Sequence, residues 1–121
     1  MGGVPADLDQ RASLGSITRA EARMTIARLI YVNVGPDQIG EAERLWKQEC
    51  APLMIQQPGC LSEELLKCLD EPGEFISYSE WEDQAAIDRY LASPAHEEIR
   101  RHTRGLQSGE RPTVKRYEVA G

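Results

Sequence analysis

Residues 75–96 read FISYSEWEDQAAIDRYLASPAH, and their order decides the fold. Phe75, Ser77, Ser79 and Trp81 alternate with Ile76, Tyr78 and Glu80, the period-two pattern of a strand with two distinct faces. The pattern stops at Trp81, and Asp83 offers a carboxylate that can cap a helix N-terminus. Ala86, Ile87, Tyr90 and Leu91 then recur at helical spacing, which predicts a helix over Gln84–Leu91. Ser93 followed by Pro94 opens another helix at once, with the proline where no amide donor is needed. Glu97 is expected to complete a capping box with Ser93. Ala95, Ile99, His102 and Leu106 form the apolar stripe of this helix, and His96 and Arg100 lie beside it.

Upstream, Thr25–Val34 (TIARLIYVNV) reads as a strand that is apolar on both faces, interrupted by Arg28. Gly35-Pro36-Asp37 breaks it and opens a helix from about Asp37 to Gln56, with Ile39, Ala42, Leu45, Trp46, Cys50, Leu53 and Met54 on one stripe. Pro52 should kink or end its regular part. Pro58-Gly59 turns the chain into a second strand, Cys60–Leu69, with a bulge expected near Glu63–Leu66. Asp70–Gly73 is a hairpin-type turn into the third strand, Glu74–Trp81. After a loop over 105–112, Thr113–Val119 reads as the last strand.

The order is β-α-β-β-α-α-β, an α+β ferredoxin-like plait with a four-stranded antiparallel sheet and a split second helix. One sheet face lies beneath the helices, yet the other also carries apolar side chains. An exposed apolar face wants a partner, and a second copy of the chain supplies one, giving a homodimeric α+β barrel.

At 121 residues the chain suits one domain, which we place at residues 24–121 after a loosely held N-terminal extension, 1–23. Its 20 acidic and 14 basic residues give a net charge of −6, which argues against a general nucleic-acid binder. No run is long enough to span a membrane, and residues 1–23 lack a signal-like apolar segment. Cys50, Cys60 and Cys68 form no Cys-x-x-Cys pair and read as free thiols, which fits a cytoplasmic location. The two histidines sit six residues apart, and there is no glycine-rich phosphate loop. No metal and no cofactor is therefore expected.

Pro58-Gly59-Cys60-Leu61, Phe75 through Glu80-Trp81-Glu82, Tyr90 and Ser93-Pro94-Ala95-His96 together carry a family likeness. Over roughly residues 24–120 the chain resembles the antibiotic biosynthesis monooxygenase family, whose members form dimeric α+β barrels. Its activities include cofactor-free oxygenation of anthrones or quinols, haem degradation and isomerisation of small molecules. The resemblance places Trp81 and Arg100 at pocket positions of the anthrone oxidisers. Ser77 stands where those enzymes carry asparagine, and Ile87 and Leu65 fall where they carry tyrosines. The haem-degrading branch fits poorly, because Arg100 falls where it needs an iron-ligating histidine. His96 falls in the Ser/Thr-Pro-(x)-His signature of the quinol-oxidising and isomerising branches.

The candidate site therefore has His96 as general base, with Trp81, Tyr90 and Tyr78 as aromatic walls and Arg100 as anion holder. An inward Arg28 needs either an acidic partner, Glu63 or Glu64 across the sheet, or an anionic ligand. Each has a structural reading too: Trp81 as an anchor of sheet to helix, His96 as a packing residue, His102 as core. The function expected is a cofactor-independent monooxygenase acting with molecular oxygen on a small phenolic, quinol or polyketide-like substrate. Two alternatives stand beside it: a non-catalytic small-ligand-binding dimeric barrel, and an isomerase of a small phosphorylated keto compound.

Overall fold

The computed structural model of the protein describes residues 25–106 and 111–120. The expected extension over 1–23 and the middle of the last loop lie outside the described residues. Strand β1 (Ile26–Asn33) leads through a short 3₁₀ turn (Pro36–Gln38) into helix α1 (Ile39–Leu45). A wide π-helical turn (Trp46–Cys50) joins α1 to α2 (Ala51–Ile55). Strands β2 (Cys60–Lys67) and β3 (Glu74–Trp81) follow, then α3 (Gln84–Leu91), α4 (Pro94–Thr103) and β4 (Thr113–Glu118). The four strands are antiparallel neighbours in the order β2-β3-β1-β4, the ferredoxin-like plait read from the sequence.

Two local expectations change, and the break expected at Pro52 takes a particular form. In the wide turn before it the Ala51 amide donates to the Trp46 carbonyl, five residues back. Pro52 explains this, since in a regular helix its ring would clash with the carbonyl four residues earlier, that of Gln48. The bulge in β2 falls between Cys60 and Ser62, at the start of the strand rather than near Glu63–Leu66. The helix α4 is capped by Ser93, whose Oγ accepts from the His96 amide at 3.2 Å. His96, not Glu97, occupies the third helical position, so Glu97 sits one residue too late to close a capping box. The cap at Asp83 forms as expected, its carboxylate accepting from the Ala86 amide at 2.9 Å.

Register sorts the side chains into two faces. Ile26, Arg28, Ile30 and Val32 of β1 lie opposite Trp81, Ser79, Ser77 and Phe75 of β3, and this face lies under the helices. Cys50, Met54, Trp81, Ala86, Ile87, Tyr90 and Ile99 form the packed core at one end of it. The turn before β2 depends on Gly59, whose φ is +88° and whose place for a Cβ lies 2.4 Å from the Ala86 Cβ. That close approach sets α3 tightly against the sheet. The opposite face carries Tyr31, Ile76, Tyr78, Leu66 and Tyr117. Among the described residues no helix is long and apolar enough to cross a membrane.

Candidate functional site

The core fills only one end of the space between sheet and helices. The remainder is a cavity of about 610 Å³. Its floor is Arg28, Ile30 and Val32 of β1, Phe75 and Ser77 of β3, with Leu65 and Val114 from the flanking strands. Leu45 and Trp46 close one side, where the π-helical turn begins. Tyr90 of α3 and His96, Ile99, Arg100 and Thr103 of α4 close the other. Arg104, Leu106, Arg111 and Pro112 line its edge.

One serine fixes the relation between the two most chemical groups. Ser93 Oγ accepts from the His96 amide and donates to the Tyr90 carbonyl at 2.6 Å. The end of α3 and the start of α4 are thereby locked together. The His96 ring meets the Tyr90 ring edge-on, with centroids 5.0 Å apart and planes at 72°. Tyr90 in turn stacks on Trp81 at 5.1 Å and 28°.

The electrostatics follow from burial in a cationic setting. Burial lowers the His96 pKa, and Arg28 and Arg100 lower it further, while the Leu91 backbone and Glu97 pull the other way. The imidazole is thus neutral near neutral pH, with a lone pair available. Burial raises the Tyr90 phenol well above its usual range, so it stays a proton donor, although Arg28 opposes the shift. Burial also lowers the Arg28 pKa, but a guanidinium keeps its charge in a protein.

Arg28 is 8% exposed, and its guanidinium has no ion pair or hydrogen bond among the described residues. The acidic partner expected across the sheet is not there. Glu63 accepts instead from Trp46 Nε1, and Glu64 lies opposite Tyr78 on the other sheet face. Burial first, and the neighbouring Glu64, push the Glu63 carboxyl up to about 7, against the effect of the Trp46 hydrogen bond. Ser77 Oγ is buried on the cavity floor with no hydrogen-bond partner among the described residues. Among the described residues no aspartate or glutamate lines the cavity.

Two expected site residues stand elsewhere. Trp81 is fully buried and does not line the cavity; its Nε1 donates to Ser79 Oγ at 2.9 Å, and it backs Tyr90. Tyr78 projects from the opposite sheet face, because it is one residue out of phase with Ser77 and Ser79. His102, read as core, is half-buried, with its Nε2 3.5 Å from a Glu98 carboxylate oxygen and 3.8 Å from one of Glu49. Cys50 and Cys60 are poor nucleophiles, since burial pushes their thiols up to about 12 and about 11. Among the described residues no three His, Cys, Asp or Glu side chains gather as a metal site would need.

The sequence model of the antibiotic biosynthesis monooxygenase family matches residues 25–102. The chain belongs to that family. The match spans β1 through most of α4, so every element that builds the cavity floor except β4 lies inside it. No curated protein matches the chain by sequence. Solved structures do match. A conserved protein from Methanosarcina mazei Go1 is similar with a TM-score of 0.72 and 18% identity, over 80% of this chain and 94% of that one. A Nitrosomonas europaea protein named for the monooxygenase family gives 0.71 and 14%, over 80% and 91%. The protein Rv0793 from Mycobacterium tuberculosis gives 0.65 and 20%, over 77% and 92%. Identities this low establish a shared fold and no shared reaction.

Within this antibiotic biosynthesis monooxygenase domain, four of the residues singled out from the sequence meet at one cavity: Arg28, Tyr90, His96 and Arg100. Sequence reasoning missed Trp46, Ser77 and Thr103 as lining residues, and Arg104 and Arg111 at the edge. Trp46 and Ser77 had a signal, since each lies on a face already read as inward. Arg104 also had one, in the basic cluster it forms with Arg100 and Arg101; Arg111 had none, because loop position is not encoded by periodicity.

Proposed function

We propose that this protein is a cofactor-independent monooxygenase that oxidises a small phenolic, quinol or polyketide-like molecule with molecular oxygen. The carrying observation is a neutral, partly buried imidazole, His96, facing a cavity of about 610 Å³ between Tyr90 and two arginines. That volume suits a ligand of two or three fused rings. Ile30, Val32, Phe75 and Trp46 offer it apolar walls.

His96 takes a proton from the phenol or the activated carbon, and the imidazolium forms as the substrate becomes an anion. Arg100 holds that negative charge without moving, and the positive potential of Arg28 on the floor favours it. The Tyr90 phenol donates to a ketone or phenolate oxygen. The electron-rich anion reduces oxygen directly. For a methylene that becomes a carbonyl, one oxygen atom enters the product and the other leaves as water. All electrons come from the substrate carbon, so the balance needs no further reductant. Trp81 holds the Tyr90 ring in place from behind. The apolar outer sheet face supports a homodimer closed through Tyr31, Ile76, Tyr78, Leu66 and Tyr117.

Oxygen uptake by chelator-treated protein without added flavin tests this, against a panel of anthrones and quinols. Uptake above autoxidation that falls by about a hundredfold in His96→Gln supports the reading. Uptake indifferent to that change removes His96 as the base. A second reading, a binding barrel without catalysis, is favoured by one observation. Leu65 on the floor and Ile87 in the core put hydrocarbon where the anthrone oxidisers carry tyrosine.

A further inference from the structure

Charge is distributed unevenly over this molecule. The chain carries a net −6, yet among the described residues every formally charged side chain that lines the cavity is an arginine: Arg28, Arg100, Arg104 and Arg111. None of these guanidinium groups has an ion pair among the described residues, although other surface arginines, such as Arg44 with Glu41, do. Surface arginines without partners are ordinary. Arg28 is different, because it stands in the middle of the central strand β1, 92% removed from solvent by its 8% exposure.

A buried cation with no counter-charge is among the costliest arrangements a fold can hold, and it persists where something else supplies the charge. The floor around it repeats the point in neutral form. Ser77 Oγ, one row along the same sheet face, is buried with neither donor nor acceptor opposite it. Two polar groups on one floor face the same space: a guanidinium without an ion pair and a buried hydroxyl without a hydrogen bond among the described residues.

We infer that the cavity takes a ligand bearing a carboxylate, held at the floor by Arg28 and Ser77, with Arg104 and Arg111 drawing it in from the edge. The fork of a guanidinium matches the two oxygens of a carboxylate, and a serine hydroxyl supplies one further donor. A phosphate would bring up to two charges and more acceptor sites than one buried guanidinium and one hydroxyl satisfy. The rest of the floor is hydrocarbon, Ile30, Val32, Phe75 and Leu65, so the remainder of the ligand is apolar or aromatic. The inference rests on the site proposed above and narrows its substrate class to aromatic or polyketide-like acids.

The test is calorimetric binding to the full chain, which does not depend on turnover. The probes are 2,5-dihydroxybenzoate, its neutral amide 2,5-dihydroxybenzamide, and inorganic phosphate. The expected result is that the carboxylate binds about tenfold or more tightly than the amide. Arg28→Gln should erase that preference, and Arg28→Lys should retain part of it, keeping the charge without the fork. Equal affinities for acid and amide overturn the inference, and so does a lack of binding by the acid. Phosphate binding more tightly than the acid also overturns it, in favour of a phosphorylated ligand. The wild-type comparison decides even where a variant does not fold. A carboxylate preference without oxygen uptake leaves this inference standing and removes the oxygenase. Uptake from neutral quinols with no carboxylate preference does the reverse.

Discussion

Replacing Arg28 by methionine should make the unliganded protein more stable. In the inner strand β1, Arg28 is 8% exposed, lies beside Ser79 and has no acidic neighbour among the described residues of the cavity wall. Burial pulls its pKa down, which means that the folded state disfavours its charge. Exchange of a buried ion pair for hydrocarbon of similar volume is neutral or stabilises by about 1–4 kcal/mol, and a lone cation has no partner to offset its desolvation. The guanidinium still borders a cavity that admits water, so the lower part of that range applies, about 1–2 kcal/mol. In a domain of this size that corresponds to a Tm rise of roughly 4–8 °C. Calorimetry measures the shift, and urea unfolding with an unchanged slope shows that the two states compared are the same. A Tm that stays level or falls, at constant slope, refutes the argument, because it means that Arg28 is already charge-paired in the free protein. A carboxylate ligand should invert the order: it stabilises the wild type by mass action and leaves Arg28→Met where it was.

The two titrating groups near the site should act on stability with opposite slopes. His96 has a folded pKa below its usual 6.5, so the stability it permits is present above that value and is lost as pH falls through the folded pKa. Urea midpoints across this range should decline in the wild type and less in His96→Gln, and the acidic limb of kcat/KM should lie below pH 6.5. Glu63 runs the other way. Its folded pKa of about 7 exceeds the usual 4.5, so stability is full below 4.5 and declines as pH rises through 7. Glu63→Gln still accepts from Trp46 and should flatten that decline, which the same titration of urea midpoints reads; an unchanged slope would count against a protonated Glu63. Gly59→Ala should destabilise by about 2 kcal/mol or more, since it combines a left-handed backbone with a Cβ 2.4 Å from that of Ala86. Thermal melting checks it, and an unchanged Tm would mean that the turn relaxes at no cost.

The fold was legible because its signals are local. Alternation in Phe75–Trp81, the caps at Asp83 and Ser93, and the breakers at Gly35-Pro36 and Pro58-Gly59 each act within a few residues, and the elements begin where they say. The site was legible only in part, because it is made of contacts between elements. His96, Tyr90, Arg28 and Arg100 line one cavity. Trp81 was harder to place: a strand-end tryptophan reads alike as a wall or as an anchor, and only the stacking with Tyr90 and the bond to Ser79 separate the two. Arg28 with Glu63 was a reasonable pairing by type. What the sequence could not show is that Trp46, brought in by the wide helical turn, reaches that carboxylate.

That wide turn makes two positions interdependent under mutation. Pro52 needs the extra residue between Trp46 and Cys50, because in an unbroken helix its ring would strike the Gln48 carbonyl. A deletion within the turn therefore loads Pro52 with a misfit of about 3 kcal/mol. Pro52→Ala alone frees the helix to become regular and leaves it one residue too long for the span between α1 and α2. Made together, the deletion and the replacement restore a continuous helix. The two changes should show strong positive epistasis, each harmful alone and mild in combination.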